Sequence, residues 1–159
     1  MTEMAEFSGW QKRMEEANLL LNQGEVEEAL RLFSELMEEK PEEPLVFYNM
    51  ALAFLEKENL ELAQKLFLHA VQLGMEHPNP WIGLGFCALK NMDFPGAIEH
   101  FTQALDLDAE NPEALIGAAF SWIRSGQPEQ ARFYLEKLKS KNIWNQELAL
   151  MYKTLPKLT

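Results

Sequence analysis

The sequence predicts an all-α protein that is built from repeats. Several kinds of residue recur at intervals of 34 positions over most of the 159 residues. Because only small side chains let two helices approach closely, small residues in this register indicate helix packing. The recurring residues are the alanines Ala29, Ala63, Ala97 and Ala131, the prolines Pro44, Pro78 and Pro112, and the small residues Ala17, Ala51, Gly85 and Ala119.

Composition limits the classes of function. Hydrophobic residues make up 47% of the chain, which is enough for a core and argues against disorder. The formal net charge is −11, which argues against binding to the phosphates of nucleic acid. The start of the chain lacks the pattern of a secretory signal, and no segment has transmembrane length. With Cys87 as the single cysteine, we expect a reducing, cytoplasmic location and no membrane insertion.

The charge is unevenly distributed along the chain. Residues 1–43 carry 12 acidic and 4 basic side chains, residues 44–128 carry 10 and 4, and residues 129–159 carry 3 and 6. A solvated acidic surface on exposed helices explains most of this pattern. The alternative is an acidic end that meets a basic partner.

The repeat resembles the tetratricopeptide repeat family. Trp81, Leu84 and Gly85 fit the W-x-x-L-G opening of the motif, and Ala97 followed by Phe101 fits the signature of its second helix. The resemblance covers about residues 10–145. It implies a right-handed superhelical stack of four helix pairs.

Some positions depart from the family pattern. Ala88 stands where the family has a tyrosine. The glycine between the two helices of a repeat is present as Gly24 and Gly126, but is replaced by Glu58 and Met92 in the middle repeats.

The resemblance predicts one domain over residues 1–159, with a capping helix at about 145–155. Ser8 and Gln11 form a capping box for the first helix, and Asn145 is the N-cap of the last. Pro112 occupies a first helical turn, where its missing N–H costs nothing. The repeats span about 10–43, 44–77, 78–111 and 112–145. The helices of the repeats span about 8–24, 25–40, 44–57, 60–74, 79–91, 94–107, 112–125 and 128–140.

The helix that begins near Trp81 is apolar on two faces. One face serves the internal packing of the repeat. The other carries Ile82, Phe86 and Leu89, about 100° away, and the resemblance implies that this second face lines a concave groove. The same columns in the other repeats hold Met14, Asn18 and Leu21, then Tyr48, Leu52 and Leu55, then Ile116, Phe120 and Ile123.

Core and groove are alternative roles for these residues, since the first helices of a stack also pack on each other. Leu55, Leu89 and Ile123 fit either role. Phe86 and Phe120 favour the groove, and with Ile82 we expect them to be partly exposed. Asn18, with Asn49, is expected to hold the backbone of a bound peptide.

Other chemistry finds no support in the residues. The carboxylate clamp of the family is rejected because its cationic positions hold Met14, Asn79 and Gly83. The histidines lie in different repeats, and Cys87 is predicted to be a buried structural thiol. We therefore expect no metal, cofactor or catalytic site.

We therefore expect a protein-binding module, similar to a chaperone or adaptor, that holds an apolar peptide or helix in its groove. It is loosely similar to the small tetratricopeptide chaperones of bacterial type III secretion, although those have longer N-terminal helices and three repeats. The alternative is a homo-oligomeric scaffold, whose groove receives a terminal segment of a neighbouring copy.

Overall fold

The all-α prediction is confirmed. The computed structural model describes residues 9–156, which form nine helices and contain no strand. The helix ends agree with the predicted ends to within two residues. The helices are α1 (Gly9–Asn22), α2 (Val26–Glu39), α3 (Pro44–Glu56), α4 (Leu60–Gln72), α5 (Pro78–Lys90), α6 (Phe94–Leu107), α7 (Pro112–Arg124), α8 (Pro128–Ser140) and α9 (Gln146–Lys153).

The helices belong to two compact units, of which the first ends at Met75 and the second begins at Glu76. In the first unit, α1 packs on α2 and α3 packs on α4, around a core that includes Phe33 and Leu36. In the second, α5 packs on α6 and α7 packs on α8. The single domain that the sequence predicts stays a prediction.

The small residues that recur every 34 positions are packing residues, as predicted. All four alanines of the Ala97 column are fully buried, and so is the bulky residue four positions after each of them. These bulky residues are Phe33, Phe67, Phe101 and Leu135. The alanine column therefore marks the close approach of the two helices within each pair.

Short polar side chains and prolines begin several helices. The side chain of Asp93 accepts a hydrogen bond from Gly96 N at 3.0 Å, and Asn111 accepts one from Ala114 N at 3.1 Å. Pro112 lies in the first turn of α7, as predicted. The capping box predicted at Ser8 lies outside the described residues.

The turn within each helix pair has the same backbone conformation in all four repeats. Gly24 and Gly126 have φ of 82° and 80°, and Glu58 and Met92 have φ of 58° and 57°. All four residues are left-handed, a region that glycine enters without strain and other residues enter at a cost. The middle repeats therefore keep the turn without its glycine.

The last helix covers the core of the second unit. The predicted N-cap Asn145 accepts a hydrogen bond from Leu148 N at 2.9 Å, which begins α9. Leu148 and Leu155 are buried in a cluster that also contains Leu115 and Leu135. A terminal cap of this kind is what a repeat protein needs to cover its last apolar face.

Among residues 9–156, no helix combines the length and apolar character that crossing a membrane requires.

Candidate protein-binding faces

In the first unit, two of the predicted groove residues are buried against each other. Asn49 Nδ2 donates a hydrogen bond to Met14 Sδ at 3.4 Å, and both side chains are buried. Thioether sulfur is a weak acceptor, but it gives the buried amide a partner. The prediction that Met14 and Asn49 contact a bound peptide is corrected here, because the packing of α1 on α3 encloses both.

The other predicted residues of the first unit, Asn18, Tyr48 and Leu52, are half-buried. The ring of Tyr48 lies 5.8 Å from that of Phe67, between centroids. Leu52 lines an open recess of about 390 Å³. The other residues that line this recess are Leu21, Asn22, Gly24 and Glu56.

The second unit is organised around the fully buried ring of Phe101. A Cβ at Gly85 of α5 would lie 2.7 Å from this ring, and a Cβ at Gly117 of α7 would lie 2.3 Å from it. Both distances are shorter than any real van der Waals contact, so the ring occupies the space that side chains would take. Two glycines on facing helices therefore hold Phe101 between them.

Two exposed phenylalanines adjoin this packing. The rings of Phe86 and Phe101 meet edge to face, with centroids 5.5 Å apart and an interplanar angle of 82°. Phe120 lies one turn after Gly117 on α7. Phe86 is 38% exposed and Phe120 is 37% exposed, as the sequence predicts.

The expectation that Ile82 is also exposed is wrong. Ile82 is only 4% exposed and belongs to the core cluster that contains Ala114 and Ala118 of α7. Small residues on α7 bring that helix close enough to cover it. Leu89, Ile116 and Ile123 are half-buried and pack on the core clusters of this unit, so they are intermediate between core and surface.

Arg124, the last residue of α7, adds a positive charge beside Phe120 and the half-buried Phe94. Its guanidinium carbon lies 5.0 Å from the ring centroid of Phe94 and 5.7 Å from that of Phe120. Both distances are in the range of cation–π contacts, and a cation is also favourable at a helix C-terminus. We call Phe86, Phe94, Phe120 and Arg124 the phenylalanine face. The sequence reasoning missed Arg124, although its spacing of four from Phe120 was a usable signal.

The thiol and the histidines show no arrangement for catalysis within the described residues. Burial raises the pKa of the Cys87 thiol to about 11, against a smaller opposing effect of Lys90, so the thiol stays protonated. Residues 9–156 contain no group of three or more His, Cys, Asp or Glu side chains that could hold a metal ion.

Comparison with protein families gives two matches, both described as tetratricopeptide repeat. One covers residues 14–78 and the other residues 88–142, together about three-quarters of the chain. No curated protein sequence matches the chain significantly.

Solved structures with the same fold include MamA from Desulfovibrio magneticus RS-1, from its residue 41 to the end. That match has a TM-score of 0.75 and 18% identity, and covers 82% of this chain and 74% of that one. The TPR domain of Sgt2 from Aspergillus fumigatus matches with a TM-score of 0.71 and 18% identity, over 80% of this chain and 86% of that one. At these identities the similarity shows the fold alone.

Proposed function

We propose, because the chain belongs to the tetratricopeptide-repeat family, that it is a protein-binding module whose phenylalanine face holds an apolar peptide or helix of a partner protein. Proteins of this family generally act through protein partners rather than by catalysis. We further propose that the chain works in the cytoplasm, in the manner of a chaperone or adaptor.

The partial exposure of Phe86 and Phe120 is the observation that carries this proposal. A phenylalanine ring buries about 150–250 Å² when it is fully covered. Covering the exposed third of each ring would therefore contribute about 1–2 kcal/mol of binding free energy per ring. Aromatic anchors of this kind supply a large share of the affinity in protein interfaces.

The side chains that surround Phe86 and Phe120 favour the binding of a partner. Phe86 rests on the buried ring of Phe101, and Phe120 is flanked by Arg124. Side chains that are already held in place lose less conformational entropy when a partner binds. An amphipathic helix or an extended apolar segment can bind to aromatic anchors that are held in place in this way.

The first unit is proposed as a second contact area of different character. Asn18 can offer its amide to a peptide backbone, and Tyr48 and Leu52 provide apolar surface. Since Met14 and Asn49 are used in the core, this area is smaller than the sequence predicts.

The test is affinity capture from native lysate with three forms of the tagged chain. These are the wild type, a Phe86→Ser/Phe120→Ser variant, and a control with Leu107→Ser/Phe133→Ser, which removes exposed apolar side chains from α6 and α8. We expect the partner to bind the wild type and the control but not the Phe86→Ser/Phe120→Ser variant. Thermal melts should show that both variants are folded.

Equal capture by all three forms would refute the phenylalanine face as the binding site. Capture of only a second copy of this chain, lost in the Phe86→Ser/Phe120→Ser variant, would instead favour the homo-oligomeric scaffold. In that case, the neighbouring copy would supply the apolar segment.

A further inference from the structure

Arg124 is a cation without a counter-ion in the part of the chain that the structure describes. It is exposed, and its guanidinium carbon lies 5.0 Å from the ring centroid of Phe94 and 5.7 Å from that of Phe120. Its side chain forms no ion pair and no hydrogen bond with another described residue. Because the rings attract the cation without neutralising it, its N–H donors stay available.

The carboxylate beside Phe94 does not neutralise Arg124 either. Asp93 directly precedes Phe94, and its Oδ1 accepts the hydrogen bond from Gly96 N that begins α6. Asp93 forms no ion pair with a described cation, Arg124 included. The charge of Arg124 is therefore open to a partner.

A partner that covers Phe120 also removes water from Arg124, because the two side chains are in contact. A charged group that loses water is unfavourable unless it gains a partner of its own. A wholly apolar segment offers no such partner, and an amide or backbone carbonyl offers only a neutral acceptor. A carboxylate accepts charge-assisted hydrogen bonds and matches the fork of guanidinium donors.

We propose that the segment bound by the phenylalanine face carries one Asp or Glu directly beside the apolar residue that covers Phe120, and that Arg124 binds this carboxylate. The proposal rests on the proposed function, since it names the chemistry of the partner at the same face. Arg124 then determines specificity, because it favours a segment with this acid and repels one with Lys or Arg in its place.

The other end of the same helix face limits the partner to a single acid. Glu113 is exposed in the first turn of α7, seven residues before Phe120, which is two turns or about 10 Å along the helix. It would repel a second carboxylate placed there. Residues 44–128 also carry 10 acidic and 4 basic side chains, so a run of acids is unfavourable as a whole. The partner is therefore an apolar segment with one acid, and not an acidic tail.

The first experiment selects binders from a displayed library of random peptides of about 12 residues. The baits are the wild type, Arg124→Gln, Arg124→Glu and the Phe86→Ser/Phe120→Ser variant. We expect the wild type to select apolar peptides with one Asp or Glu among the apolar residues. Arg124→Gln should select the same apolar residues without the acid, and Arg124→Glu should select Lys or Arg in its place.

The second experiment titrates one selected peptide and a copy in which its acid is replaced by the matching amide. The replacement should weaken binding to the wild type about three- to tenfold and leave binding to Arg124→Gln unchanged. Arg124→Lys, which keeps the charge but not the fork of donors, should keep part of the discrimination. The control Lys153→Gln removes one exposed positive charge from α9 and should discriminate between the peptides as the wild type does.

The outcomes separate this proposal from the proposed function. Selection of apolar peptides without Asp or Glu, or equal weakening by the amide in the wild type and Arg124→Gln, would overturn the role of Arg124 and leave the phenylalanine face as a binding site. Equal selection by the wild type and the Phe86→Ser/Phe120→Ser variant would overturn both. Thermal melts check that each variant is folded, which we expect for changes at an exposed residue that ends a helix.

Discussion

The two units surround equivalent phenylalanines with different residues. Phe33 of the first unit and Phe101 of the second are two repeats apart, and both are fully buried. Phe101 lies between Gly85 and Gly117, where a Cβ would collide with its ring. The equivalent positions around Phe33 hold Ala17 and Asn49.

This difference determines which side chains each unit exposes to a partner. In the first unit, the amide of Asn49 donates to Met14, and both side chains are buried. In the second, the glycines admit the Phe101 ring, Phe86 packs on its edge, and Phe86 remains partly exposed. One repeat framework therefore gives a buried polar contact in one unit and a partly exposed aromatic face in the other.

The largest expected effect is the difference in stability between a variant that lacks the buried Phe101 ring and one that lacks the partly exposed Phe86 ring. Phe101→Ala should lower the free energy of unfolding by about 3–5 kcal/mol, because it empties a fully buried site. Phe86→Ala should cost only about 1–2 kcal/mol, because more than a third of its ring is already in water. Denaturant unfolding of both variants measures this difference. Equal losses would mean that Phe86 is part of the core.

A second comparison concerns the glycine that faces Phe101. Gly117→Ala should destabilise the chain, because overpacking costs about 1–3 kcal/mol and the better helix propensity of alanine returns only about 1 kcal/mol. Adding Phe101→Leu, which shortens the side chain, should recover part of this loss beyond simple additivity. Asn49→Ala in the first unit should cost about 1 kcal/mol, from its hydrogen bond alone.

Denaturation midpoints of these single and double variants test whether Phe101 fills the space beside Gly117. A Gly117→Ala chain as stable as the wild type would show that the Phe101 ring can move away. The two units would then differ in sequence but not in packing.

The fold was predictable because the small residues that recur every 34 positions are the ones at which the helices pack. The column of Ala97 could hold only small residues, since a second helix passes there, and this constraint is visible without coordinates. The turns were also predictable at Glu58 and Met92, although neither is glycine. The packing of the helix pair holds these residues in the left-handed conformation against their local preference.

The site was only partly predictable. Rotation by 100° per residue assigned Ile82 and Phe86 to one face, but it could not give the distance to the next helix. That distance depends on small side chains of α7, which cover Ile82 and leave Phe86 partly exposed. The spacing of Phe120 and Arg124 was visible in the sequence, but the contact of Arg124 with Phe94, 30 residues away on another helix, was not.

A smaller effect is expected at the turns, and here the two units should behave alike. The left-handed conformation destabilises the folded chain by about 1–2 kcal/mol at a residue other than glycine. Glycine removes this strain, but it lowers stability by about 0.5–1 kcal/mol because it gives the unfolded chain more conformational freedom. Met92→Gly should therefore stabilise the second unit by about 0.5–1 kcal/mol, and Glu58→Gly should do the same in the first. Met92→Leu is the control, since it keeps the strained backbone. If it stabilises as much as Met92→Gly, side-chain exposure rather than φ explains the gain.

The smallest expected effect is a pH dependence in the second unit. Both units place a histidine ring on an aromatic ring of a first helix. In the first unit Phe47 meets His69, with centroids 4.4 Å apart, and in the second Trp81 stacks on His100 at 6.0 Å. Nδ1 of His100 is buried and has no hydrogen-bond partner among the described residues. Burial lowers the pKa of His100 from its ordinary value of 6.5, against opposing effects of Glu99 and Asp93.

Because the pKa of His100 is lower in the folded chain than in the unfolded chain, the unfolded chain takes up the proton first as the pH falls. The contribution of neutral His100 to stability is therefore complete above pH 6.5 and decreases as the pH falls through 6.5 toward the lower folded pKa. We expect the denaturation midpoint of the wild type to fall between about pH 8 and about pH 5.5, and to fall less in His100→Gln. Glu61 and Glu110, whose pKa values are lowered by Lys65 and Lys141, lose their contributions only at more acid pH, below about 4.5. An identical pH dependence in the wild type and His100→Gln would show that the stacked histidine can be protonated in the folded chain without loss of stability.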